Sequence, residues 1–160
     1  MAKISDMKMK YRIFMKTYRY RSLEWKSGVS LDKPLSESKI AVISTAALHP
    51  PDQPPFDSDI SGGDHSFRII PENIDLDSLE TVHPSSSFDH SGIEADVNLS
   101  FPLDRLRELR DQGFLGAVAP RHLSFLGLIL SPERLIEDSA EKAADILIED
   151  KVDGALLIPV

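Results

Sequence analysis

Asp153-Gly154-Ala155-Leu156-Leu157-Ile158-Pro159-Val160, the last eight residues, reads as a buried parallel strand. Asp150-Lys151-Val152-Asp153-Gly154 is the turn that feeds it, and a helix precedes the turn. That helix opens at Ser131-Pro132-Glu133, a capping residue followed by proline. Its apolar stripe runs Leu135, Ile136, Ala140, Ala143, Ala144, Leu147, Ile148. Upstream, Gly116-Ala117-Val118-Ala119 reads as a short strand that Pro120 ends. Before it, Pro102 introduces a helix with core-facing Leu103, Leu106 and Leu109, and Gly113 stops it. Helix, strand, helix, strand in this order implies right-handed crossovers in a parallel sheet.

Further upstream, Lys39-Ile40-Ala41-Val42-Ile43-Ser44-Thr45 is a β-branched apolar run suited to a sheet interior. Residues 46–100 are dense in Pro, Gly, Asp, Ser and His, and only Phe67-Arg68-Ile69-Ile70 is strand-like there. The expected fold is α/β: an open parallel sheet flanked by helices, with a long Pro/Gly/His-rich loop region. Three segments then become candidates to share one edge: Ser44 to His49, Pro120-Arg121-His122, and Val160. Ligands of open α/β sheets gather outside the carboxyl ends of the strands.

The 160 residues are 41% hydrophobic and 28% charged, the balance of a soluble globular protein with one core. The longest apolar run, Leu123 to Leu130, is too short to cross a bilayer and contains Ser124 and Gly127. Tyr11-Arg12-Ile13-Phe14-Met15-Lys16 is interrupted by charge and is no secretion signal, so a cytoplasmic location is expected. There are no cysteines, which excludes disulfides, thiolate metal sites and thiol chemistry among these residues.

Net charge is -8, unevenly spread. Residues 1–26 hold eight basic side chains against two acidic, or +6, leaving about −14 for the remainder. We divide the chain into a basic arm, 1–24, and a domain, 25–160. Tyr11, Phe14, Tyr18 and Tyr20 alternate with the arm's charges as a stacking platform would. The acidic body argues against nucleic acid as the main partner, and the arm reads as a helix or tail docking on an acidic surface.

Several separated segments together resemble the selenoprotein B family of glycine, sarcosine, betaine and D-proline reductases. They are Ser44-Thr45-Ala46-Ala47-Leu48-His49 and Gly63-Asp64-His65-Ser66-Phe67-Arg68-Ile69-Ile70-Pro71. Ala95-Asp96-Val97-Asn98 leading into 101–109, then 116–127 and the closing strand, complete the pattern in one order. The likeness starts near residue 25 and does not include the basic arm. It implies reductive cleavage of a C–N bond α to the carboxylate of a small amino-acid-like substrate. It also implies a pyruvoyl group on a partner subunit and a thioredoxin-like electron donor. In that family the turn after the last strand carries selenocysteine or cysteine. The expectation is therefore an in-frame UGA after Val160, with a cysteine-containing tail or a shortened paralogue as alternatives. The 160 residues by themselves hold no catalytic nucleophile.

Within these residues, Arg121 and His122 are candidates for holding a reactive anion or a substrate carboxylate, by guanidinium fork and proton shuttle. His49 is a candidate for the same cleft. Gly62-Gly63-Asp64-His65 is either an anion-accommodating turn or a tight turn in which Asp64 bonds its own backbone. Arg68 is a further carboxylate candidate, against a structural ion pair. A competing reading gathers His49, Asp52, Asp64, His65, His83, Asp89 and His90 into a metal-dependent hydrolase site, although no helical His-x-x-x-His supports it. A third is a non-catalytic assembly or regulatory subunit.

Overall fold

The computed structural model describes residues 9–17, 29–82 and 91–160. The chain divides into two units, Met1–Ser30 and Leu31–Val160. In the first, α1 (Met9–Thr17) is helical, with the Thr17 hydroxyl donating to the Ile13 carbonyl. Tyr18 and Tyr20 lie outside the described residues.

The second unit is an α/β sandwich built on β1 (Lys39–Ser44). The remaining strands are β2 (Leu48–His49), β3 (Phe67–Pro71), β4 (Glu80–Thr81), β5 (Ala117–Val118), β6 (Arg121–Phe125) and β7 (Gly154–Ile158). The helices are α2 (Ser91–Ala95), α3 (Leu103–Asp111) and α4 (Ala140–Glu149). Strands β5, β6 and β7 all run parallel to β1. The sheet is not wholly parallel, however, because β3 pairs antiparallel with β6 along five residues. A two-stranded antiparallel ribbon of β2 and β4 emerges from the region read as loop.

Alternation along β1 sends side chains to both faces. Ile40 and Val42 join Ile70, Phe101, Leu103 and Leu106 beneath α3. Ile43 instead joins Leu123, Phe125, Ala143 and Leu147 beneath α4. A helix therefore covers each face, as the crossover argument requires. Leu109 completes the sequence stripe of α3 but is 39% exposed, so the core uses only the first two leucines.

The short strand read before Pro120 does stop there, as β5, but a further strand starts immediately after it. Pro120 interrupts pairing, which then resumes: β1 pairs with β5 at Lys39 and Ile40, and with β6 at Ile43 and Ser44. Two residues of β1, Ala41 and Val42, thus face four on the other side, 119–122, a bulge of two residues around Pro120. Arg121 and His122 consequently start a strand rather than follow one.

The last strand also departs from its reading. β7 is parallel to β1 in register from Ile40–Gly154 to Ser44–Ile158, yet Leu156 is 41% and Leu157 67% exposed. Among the described residues its outer edge has no strand beside it. Apolar composition was read as burial, but the strand stands at the sheet's margin. No helix among the described residues is long and apolar enough to cross a membrane.

Candidate functional site

Parallel strands β1, β6 and β7 deliver their carboxyl ends to one place. Thr45 donates its amide to the Ile158 carbonyl at 3.1 Å, and its hydroxyl accepts the Val160 amide at 2.9 Å. Gly127, just past β6, lies against both: a Cβ there would stand 2.9 Å from the Thr45 carbonyl oxygen and 3.0 Å from that of Val160. Close backbone approach is the reason for glycine at this point. Ala47, with φ of 55°, turns the chain back so that its amide reaches the Phe125 carbonyl at 2.9 Å. Ser44 and Ser124 face each other in register beneath this edge, both buried. The Ser44 hydroxyl accepts the Ala46 amide at 3.2 Å, while the Ser124 hydroxyl has no partner among the described residues. On the α4 side an apolar cavity of about 360 Å³ opens between Thr45, Phe125, Leu126, Leu135 and Leu147.

The sequence candidates separate into several places. His122 is fully buried within β6, where its Nδ1 accepts the Val42 amide at 2.9 Å. The bulge at Pro120 leaves that amide without a carbonyl, and the imidazole substitutes for it. Nε2 is left as the protonated nitrogen, with no hydrogen-bond partner among the described residues and the ring edge-to-face with Phe101. Burial, with help from the Arg107 charge and against the pull of Asp150, lowers the His122 pKa to about 4. It is a neutral piece of the sheet, remote from solvent.

Arg121 lies at the opposite end of β6 from the strand-end cluster. Its guanidinium grips Asp150 through Nε and Nη2 at 2.9 and 2.7 Å and reaches Glu149 at 2.7 Å, raising its pKa further above the ordinary arginine value. It joins the start of β6 to the end of α4. His49 is buried in the small ribbon, with Nδ1 3.1 Å from the Pro50 carbonyl and Nε2 3.9 Å from Glu80.

Asp64 and Arg68 form one buried construction. Asp64 accepts the amides of Asp57 and Ser66, each at 2.9 Å, and the Ser66 hydroxyl at 2.5 Å. Burial works against its charge, but the Ser66 hydroxyl, these amides and Arg68 outweigh it and lower its pKa. Arg68 donates to the Pro54 and Pro55 carbonyls at 2.6 and 2.9 Å and to Ser66 at 2.8 Å, with Phe56 stacked 4.2 Å from its guanidinium carbon. The arginine holds the proline-rich loop in place and has its donors occupied. The Gly62–Gly63 turn docks on the segment after β6: Gly62 accepts the amides of Leu130 and Ser131 at 2.8 and 3.1 Å. Half-buried His65 is set apart from this network, on a polar cavity of about 280 Å³ with Ser61, Ser131, Glu133 and Arg134.

Among the described residues, no three His, Cys, Asp or Glu come together as metal ligands. His83, Asp89 and His90 of the hydrolase reading lie outside those residues.

The profile of the glycine/sarcosine/betaine reductase selenoprotein B family matches residues 4–159. The chain belongs to the selenoprotein B family. It is 30% identical over 125 residues to D-proline reductase subunit gamma of Acetoanaerobium sticklandii, covering 78% of this chain and 50% of that protein. Similarity extends to two Peptoclostridium acidaminophilum proteins. It is 26% identical to sarcosine reductase complex component B subunit beta and 28% identical to the betaine reductase counterpart, in each case over 78% of this chain and 28% of the relative. The chain thus spans half or less of the curated relatives it matches, and those relatives are subunits of reductase complexes. No solved structure matches it. The match begins at residue 4, so family likeness extends further into the basic arm than the sequence motifs indicated.

Of the three segments expected to share one edge, 44–49 and Val160 meet at Thr45, whereas 120–122 lie at the other end of β6; Gly127 belongs to a quoted motif but was not singled out for this edge. Glu133 was read only as part of a helix opening, and Arg134 was not singled out. Their cavity depends on a glycine turn some seventy residues earlier, and no local signal marks it.

Proposed function

We propose that this chain provides the strand-end platform of a selenoprotein B-type reductase subunit. In this reading a selenocysteine or cysteine outside the 160 residues works at the edge formed by Thr45, Gly127 and Val160. The single observation that supports it is the convergence of three parallel strand ends there, the position where open α/β sheets present reactive loops. The absence of cysteine from the 160 residues requires the redox atom to come from elsewhere.

The reaction is reductive cleavage of a C–N bond α to the carboxylate of a small amino-acid-like substrate. The chalcogen anion would displace the nitrogen at the α-carbon, the nitrogen taking up a proton; a thiol would then attack the chalcogen, the α-carbon leaving with a proton as the deaminated acid, and a thioredoxin-like dithiol would reduce the resulting chalcogen–sulfur bond with two electrons. A pyruvoyl group on a partner subunit would hold the amine. The chain's own part is to hold the strand ends together beside the apolar cavity under α4.

The test is the coding sequence after the Val160 codon, followed by reconstitution with the partner subunit. The expected result is an in-frame selenocysteine or cysteine codon whose replacement by serine abolishes reduction of D-proline, sarcosine or betaine. The 160-residue form alone is expected to turn over none of them. No such codon, or turnover that survives its replacement, discards the reading and leaves the assembly-subunit alternative in its place.

A further inference from the structure

Six arginines lie in Leu31–Val160, and five have a carboxylate within ion-pair distance: Arg68, Arg105, Arg107, Arg110 and Arg121. The sixth, Arg134, has neither an ion pair nor a hydrogen bond to another described residue. It lines the polar cavity of about 280 Å³ together with His65, Ser61, Ser131 and Glu133. In an acidic domain that pairs its other guanidinium groups, this one faces an open cavity instead.

One wall of the cavity is closely packed. Gly63, at φ of 96°, packs so closely on Leu128 that a Cβ would collide with its carbonyl oxygen and lie 3.0 Å from the Ile129 Cα. On the other wall, Glu133 and Arg134 immediately precede a π-helical turn, Leu135–Ser139, leading into α4. Such turns are rare and are frequently found at functional sites. Ser131, on the same lining, stands four residues along the chain from Gly127.

We infer that this cavity binds a small zwitterion: Arg134 and His65 take its carboxylate, the Ser61 and Ser131 hydroxyls add hydrogen bonds, and Glu133 faces its cationic nitrogen. A guanidinium presents the planar fork that a carboxylate fits. A carboxylate on the same lining disfavours a plain anion and selects one that carries its own positive charge. The inference rests on the proposed function only in naming the ligand as the reductase substrate; the recognition chemistry comes from the lining itself.

The experiment titrates the 160-residue protein with D-proline, sarcosine and betaine, using acetate as the carboxylate-only control, and follows the His65 ring resonances by NMR. At least one zwitterion is expected to shift them saturably at millimolar concentration and to bind more tightly than acetate. Arg134→Ala is expected to weaken that binding by about tenfold or more, as loss of a charge-assisted contact does. Exposed Arg105→Ala leaves it unchanged. Glu133→Gln is expected to remove the preference over acetate. Both variants change exposed side chains, and unaltered urea midpoints will show that the fold is retained. No saturable shift with any of the three, or undiminished affinity in Arg134→Ala, overturns the site. A preference that survives Glu133→Gln overturns its zwitterion character. These readouts require no turnover, so a reconstituted complex that reduces nothing while binding is intact would defeat the reductase reading and leave the site standing.

Discussion

The Nδ1 of His122 accepts the backbone amide of Val42 at 2.9 Å, bridging the gap where β1 passes from β5 to β6. A side chain thereby takes the place of a ladder carbonyl in the middle of the sheet. His122→Ala would strand a buried amide and open a cavity beside Phe101. We expect a loss on the order of 3–4 kcal/mol in urea unfolding. His122→Asn, whose side-chain oxygen can accept the same bond, should recover part of that loss.

Burial of the same side chain, with the Arg107 charge nearby, gives folding a pH dependence with a definite sign. Neutral His122 fits the folded state, where its pKa falls to about 4, whereas the unfolded chain titrates near the ordinary value of 6.5. Above the unfolded value both states are neutral and stability is full. As pH falls from there towards the folded value, the unfolded state gains protons first and stability is lost, by about 3 kcal/mol across the window. Urea midpoints measured from pH 7.5 to 4.5 should fall in the wild type and fall less in His122→Asn.

Arg68 should behave as a structural clamp. Arg68→Ala releases the Pro54 and Pro55 carbonyls and the Phe56 ring, with an expected cost of about 2–4 kcal/mol. Arg68→Lys should recover little, because an ammonium cannot span both carbonyls and stack as a plane. Exposed Arg105→Ala should cost under about 0.5 kcal/mol. Asp64, with its lowered pKa, adds a second window: its stabilisation is present above the ordinary 3.8 and disappears as pH falls through its folded value. The deficit of Asp64→Asn should therefore be large at neutral pH and vanish in strong acid.

Two glycines separate fold from site. Gly63→Ala combines a left-handed backbone with a collision at Leu128, and we expect about 2 kcal/mol or more of destabilisation. Gly127→Ala meets the Thr45 and Val160 carbonyl oxygens and must push the strand ends apart. In the reconstituted complex it should reduce turnover more than it lowers the unfolding midpoint. Equal and small effects on both would show that the edge tolerates the displacement.

Much of this was legible from pattern alone. β1, α3, α4 and β7 follow from long apolar runs and stripes, which is where periodicity carries most information. β6 was hidden because Pro120, Arg121 and His122 look like a loop, and only the bulge reveals why a polar pair starts a strand. The ribbon of β2 and β4 has two residues per strand, too few for any alternation to register. The site residues were least legible. Arg68 bonds to backbone carbonyls of prolines 13 and 14 residues away, and backbone partners leave no mark in side-chain composition. Arg134 is distinguished only by the partner it lacks, which emerges once the partners of the other arginines are known.

Leu156 and Leu157 on the outermost strand carry a practical consequence for handling the protein. A strand margin that no described strand covers, with protruding leucines, is a template for further strand pairing. Purified alone, the protein should self-associate increasingly with concentration, and sedimentation velocity should register the growth of dimers and larger species. Leu157→Lys should suppress it without lowering the unfolding midpoint. An unchanged sedimentation profile over the concentration series would mean that the margin is inert. If the species do grow with concentration, working dilution sets how long a preparation of this chain remains monodisperse, as much as temperature or buffer does.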